Sequence, residues 1–93
     1  MSHLLVHFWP GGTEAHYQAS IAAVHPPGRL PVGQTYHAAG PAEGGYLIVS
    51  VWESKEAEER FVQQVLLPAQ PIAGGFPHPM VSQQAPIANL FTA

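Results

Sequence analysis

A chain of 93 residues has room for one domain, spanning 1–93, and so short a chain buries only roughly 60–70% of the surface it exposes when unfolded. The composition is 46% hydrophobic and only 10% charged, so a second copy of the chain, in a homodimer, is expected to cover part of the apolar surface. A net charge of −3, with Arg29, Lys55 and Arg60 scattered along the chain, argues against nucleic acid, and the lack of cysteine excludes disulfides, a thiol nucleophile and thiolate metal sites.

Residues 3–9 are rich in strand formers and stop at Pro10-Gly11-Gly12. They carry no basic n-region and no small-residue cleavage site, so they do not read as a signal peptide. Nothing approaches the roughly 20 apolar residues of a membrane span, and the expected setting is cytoplasmic, without a membrane partner. Thr13 caps a helix whose first turn holds Glu14, and Tyr17, Ile21 and Val24 recur at helical spacing. His25-Pro26-Pro27-Gly28 ends that helix, and residues 25–33 form a loop.

A second strand is predicted over 34–39, a six-residue turn over 40–45, and the most strand-like run over 46–52. Ser54 caps a second helix, with Ala57, Phe61, Val62, Val65 and Leu66 as its apolar stripe and Pro68 or Pro71 as its end. Residues 71–86 hold four prolines and read as irregular, leaving 87–92 as the last strand. The order βαββαβ gives a ferredoxin-like α+β fold, a four-stranded antiparallel sheet with both helices on one face.

Alternation then assigns faces. Leu4, Val6 and Phe8, with Leu47, Val49 and Val51, are uniformly apolar and are expected against the helices. His3, Leu5, His7 and Trp9, with Tyr46, Ile48, Ser50 and Trp52, then take the bare face. A symmetric six-residue turn sets Ala39 opposite Tyr46 and His37 opposite Ile48, which puts His37 on that bare face too; a one-residue slip reverses this. Asn89 could join it with Ile87 and Phe91, though the pattern of the last strand is ambiguous. Large apolar groups left in water each forfeit about 1.5–3 kcal/mol, so the bare face is expected inside a sheet-on-sheet dimer, around an apolar cavity with a few polar groups.

Thr35-Tyr36-His37-Ala38, the glycine-rich turn, the strand ending Trp52-Glu53-Ser54 and the helix opening Lys55-Glu56-Ala57 resemble the dimeric α+β barrel superfamily. The likeness is greatest to the antibiotic-biosynthesis monooxygenases, which include small cofactor-free oxygenases of aromatic polyketides, and covers roughly residues 33–62. The resemblance implies a pocket lined by His37 and Trp52 and a reaction that needs no cofactor. Two positions depart from it. Ile48 stands where those oxygenases hold the substrate oxygen with an asparagine, and Glu58 stands where a tyrosine transfers a proton.

His37 is the candidate catalytic base, because an imidazole with an ordinary pKa near 6.5 accepts a proton at neutral pH. Trp52, Trp9, Tyr46, His7, Ser50 and Asn89 are the candidates for holding a small aromatic or apolar molecule. The alternative for each is structural: a strand histidine that only hydrogen-bonds, and indoles that only fill a core. No metal site is expected. His3 and His7, four apart on a strand, stand about 13 Å from each other, and His7 with His37 would still need a third ligand. The leading reading is a cofactor-independent oxygenase-like enzyme. A cyclase or isomerase using the same pocket without oxygen, and a non-catalytic ligand-binding or structural dimer, remain beside it.

Overall fold

The computed structural model describes residues 2–66, 68 and 77–92. The strand β1 (His3–Pro10), helix α1 (Glu14–Val24), strands β2 (Gln34–Ala42) and β3 (Gly45–Trp52), helix α2 (Lys55–Phe61) and strand β4 (Val81–Pro86) follow in that order. All neighbouring strands are antiparallel, in the order β2-β3-β1-β4. This is the ferredoxin-like α+β arrangement, with α1 and α2 over the same sheet face.

Both helix starts follow from local chemistry. Thr13 accepts from the His16 amide at 3.2 Å, and His16 Nδ1 accepts from the Thr13 amide at 3.1 Å, so a histidine completes the reciprocal cap. Ser54 accepts from the Ala57 amide at 3.1 Å. Gly33 lets β2 start close under α2. Its φ is +90°, and a Cβ there would stand 2.8 Å from that of Ala57. After Phe61 the helix widens into a π-helical turn, Val62–Leu66. Pro71 lies outside the described residues.

Four sequence expectations need correction. The first concerns the faces, which are exchanged. His3, Leu5, His7 and Trp9 are buried along β1, as are Tyr46, Ser50 and Trp52 along β3, while Leu4, Val6 and Phe8 are half-buried and Leu47 is 37% exposed. The grouping of residues by alternation holds, but the group with the aromatic rings lies under the helices. Each large ring buries on the order of 150–250 Å², more than an aliphatic side chain offers, so the indole face gains more from the helix layer. Its polar groups also find partners there: Trp52 Nε1 donates to Ser50 Oγ at 2.9 Å, and His3 Nε2 lies 2.7 Å from Gln84 Oε1.

The second correction is the hairpin. β2 runs through Pro41 to Ala42, and only Glu43 and Gly44 turn the chain, with Gly44 at φ +80°. Pro41 is tolerated because β2 is an edge strand. His37 therefore pairs with Ser50 and not Ile48. That displacement is two residues, so His37 keeps its face.

The third is a bulge in β2. Gln34 pairs with Trp52 while Tyr36 pairs with Val51, leaving Thr35 as an extra residue whose hydroxyl donates to the Val51 carbonyl at 3.2 Å.

The fourth is the last strand, which is Val81–Pro86 and not 87–92. Pro77, Pro79 and Pro86 flank this strand or end it without interrupting its pairing with β1. β4 is exposed throughout, which suits its polar Ser82-Gln83-Gln84 sequence.

Candidate functional site

The buried sheet face and the two helices line a small cavity of about 40 Å³. β1 supplies Leu5, His7 and Trp9; β3 supplies Ile48, Ser50 and Trp52; β2 supplies Gln34 and His37. From above, α1 and its cap contribute Ser20, Ile21 and His25. Phe61 and Leu66 close the remaining side, brought onto one wall by the π-helical turn, whose i to i+5 spacing aligns residues five apart.

His37 is the best-connected group on this wall. Its Nε2 lies 2.7 Å from the Tyr17 hydroxyl and its Nδ1 3.1 Å from Gln34 Oε1. With a carbonyl oxygen at Nδ1, that nitrogen carries the hydrogen, and Tyr17 donates to Nε2. Burial lowers the His37 pKa from its ordinary value, which keeps the ring neutral and in its proton-accepting form at pH 7. His25 packs edge-on to it at 4.9 Å, and burial, then repulsion from His37, lowers the His25 pKa to about 4. His7, edge-on to Trp9 at 6.1 Å, is likewise lowered to about 4 by burial. Three neutral imidazoles thus border one small space.

These values set a pH dependence. An imidazole whose folded pKa lies below its unfolded one is protonated more readily in the unfolded chain, so its stability contribution is full above pH 6.5. It is lost as the pH falls toward about 4, through His7 and His25 together. Glu58, 4% exposed and raised by burial, acts in the opposite sense above pH 4.5. The expected result is a urea midpoint that falls on acidification through this window, and more steeply in Glu58→Gln.

The other sequence candidates divide. Trp52 (1% exposed) and Trp9 (2%) reach the cavity, with Trp52 also tilted against Phe61 at 5.0 Å. Ser50 and His7 stand beside them. Tyr46 is buried, but it is not among the residues lining the cavity. Its hydroxyl donates to Glu14 Oε1 at 2.7 Å and its ring stacks on Tyr17 at 4.9 Å. Burial first, and then the Glu14 carboxylate, push its pKa up to about 12. Asn89 lies beyond β4, exposed, and is not brought to the site. Among the described residues no three histidine or acidic side chains are placed to share a metal ion.

Tyr17, Gln34 and His25 were not sequence candidates. Tyr17 reads as one more member of an apolar helical stripe, although it carries the only hydroxyl on that stripe. Gln34 and His37 are three apart, which in a regular strand puts them on opposite faces; the Thr35 bulge brings both inward.

No protein-family model matches the chain, and no curated protein sequence matches it. Solved structures do. Rv0793 from Mycobacterium tuberculosis superposes with a TM-score of 0.61 at 18% identity, over 99% of this chain and 97% of that one. SnoaB, a cofactor-independent oxygenase from Streptomyces nogalater, superposes with a TM-score of 0.56 at 17% identity, over 98% and 94%. Identities this low carry the architecture and not the chemistry. The chain shares the ferredoxin-like α+β fold of these two proteins.

Proposed function

We propose that this protein is a cofactor-independent, oxygenase-like enzyme acting on a small aromatic or polyketide-like molecule. The observation that carries the reading is a neutral, hydrogen-bonded imidazole, His37, on the wall of a small cavity shared with Trp9, Trp52, His7 and Ser50. The likeness of fold to SnoaB, itself a cofactor-independent oxygenase, supports it.

In this reading the acidic hydroxyl or activated C–H of the substrate displaces the Tyr17 hydroxyl from Nε2 and gives its proton to His37. Gln34 holds the resulting imidazolium through Nδ1–H. The indoles of Trp9 and Trp52 border only the reacting edge of the substrate and keep water from it. The carbanion then transfers electrons to dioxygen and forms the new C–O bond, and the peroxide takes the proton back from His37 before losing water to give the quinone.

Oxygen uptake with hydroxyanthracene-type substrates tests this directly. Turnover that persists without oxygen transfers the site to the runner-up, a cyclase or isomerase with the same proton transfer. Ile48, which has no polar atom to hold a substrate oxygen, favours that alternative. If no ligand raises the thermal midpoint, neither reading stands and the fold serves as a structural dimer.

The homodimer belongs to the same proposal. The sheet face away from the helices carries Leu4, Val6, Phe8, Val49 and Val51, with Leu47 37%, Tyr36 57% and Val81 57% exposed in the single chain. Small residues on β2 leave a depression of about 270 Å³ there, beside Leu47 and Val49, that a second sheet can fill. A contiguous aliphatic face of this kind is characteristic of an interface. Val49→Asp, at its centre, is expected to convert the dimer to monomer in sedimentation velocity while retaining the far-UV spectrum. A wild-type protein that sediments as a monomer at micromolar concentration refutes the assembly.

A further inference from the structure

A second and larger depression, of about 460 Å³, opens between the end of α1, the proline-rich loop and α2. It shares two wall residues, His25 and Phe61, with the small cavity beneath His37. The two volumes imply a division of labour. About 40 Å³ is close to the roughly 30 Å³ that one water molecule occupies, and no fused-ring body fits there. The outer space falls within the range of about 300–1,000 Å³ typical of small-molecule sites.

The chemistry of the outer walls is specific. Val24, Pro31, Val32 and Val65 make them apolar, and Val32 is 91% exposed, which leaves a branched side chain in water unless something covers it. Phe61 and His25 meet edge to face at 6.4 Å and form an aromatic corner. Among the described residues that line the groove Arg60 is the one charged side chain, and none is a carboxylate. Lys55, by contrast, is engaged with Glu59 at 3.6 Å, while Arg60 makes no ion pair with a described residue.

We propose that this groove binds the body of a planar aromatic acid, its carboxylate or equivalent anion on Arg60 and its rings against Phe61 and Val32. The opposite edge of the ligand passes between His25 and Phe61 toward His37. This rests on the pocket assigned above and names the substrate class that it takes: an anionic aromatic rather than a neutral or aliphatic one. Binding reorders the shared wall, because the inner space admits only a substituent until His25 and Phe61 part.

Titrations followed by amide NMR test the groove with 1-hydroxy-2-naphthoate, 2-naphthol and octanoate as probes. The naphthoate is expected to bind with shifts at Val32, Phe61 and Val65. Arg60→Gln is expected to weaken it by roughly five- to tenfold, the effect of one charge-assisted contact at a partly exposed site, and to leave 2-naphthol unchanged. Ala23→Trp, which fills the groove from α1, should abolish binding of both. Equal loss of naphthoate and naphthol in Arg60→Gln overturns the anion site, and octanoate binding as tightly as the naphthoate overturns the aromatic one. Shifts confined to the outer sheet face overturn the groove altogether. Oxygen uptake measured on the same samples separates the two proposals: naphthoate binding with the Arg60 dependence, but no oxygen uptake with any substrate, refutes the reaction and supports the groove.

Discussion

His37→Ala is expected to lower turnover of a hydroxyanthracene-type substrate by about 10²–10⁴-fold, the usual contribution of a positioned general base. The loss should fall on kcat and kcat/KM together, because the imidazole acts on the proton in flight and contributes little to holding the rings. Removing it also leaves the Tyr17 hydroxyl without its acceptor at 2.7 Å and Gln34 without its donor at 3.1 Å. A circular-dichroism melt on the same preparation therefore has to accompany the kinetics. His37→Gln, which retains a side chain able to bond Tyr17, should restore stability without restoring rate. A variant that turns over at the wild-type rate removes His37 from the chemistry and leaves it a structural link between α1 and β2.

The second large effect is on stability. Trp52→Ala is expected to cost about 3–5 kcal/mol, because the indole is 1% exposed and its deletion leaves a cavity that the surrounding strands close only in part. Lost with it are the tilted contact to Phe61 and the donor to Ser50 Oγ. Against a total of about 5–15 kcal/mol for a domain, this is about a fifth or more of what holds the chain folded. Urea unfolding monitored by far-UV circular dichroism gives the number. A loss below about 1 kcal/mol would mean that the site relaxes around the deletion, contrary to the close packing of an interior. Trp52→Phe, which keeps one six-membered ring, should fall between Trp52→Ala and the wild type.

Local chemistry was readable from the sequence wherever one or two residues decide it. Thr13 and Ser54 announce helix starts because a short hydroxyl side chain can satisfy an amide left open in the first turn. Alternation along β1 and β3 correctly groups His7, Trp9, Ser50 and Trp52. The choice of which group meets the helices is a competition between two apolar faces, and total ring area decides it, a quantity that counting apolar positions does not weigh. Pro41 and the glycines around it suggested a wide turn because prolines interrupt central strands; β2 is an edge, where that rule lapses. The same reasoning hid β4, whose polar sequence is comfortable only because it too lies at an edge. Tyr17 and His25 were invisible as site residues because their roles come from long-range approach, across 20 and 12 positions of chain to His37.

The additional residue at Thr35 has a chemical consequence beyond its effect on pairing. By turning Gln34 inward it presents an amide oxygen to one edge of the His37 ring, and that oxygen fixes the tautomer. A lone pair is thereby reserved at the opposite edge, on the nitrogen that faces the Tyr17 hydroxyl. In this protein a single irregularity in backbone hydrogen bonding decides which imidazole nitrogen is left to accept a proton.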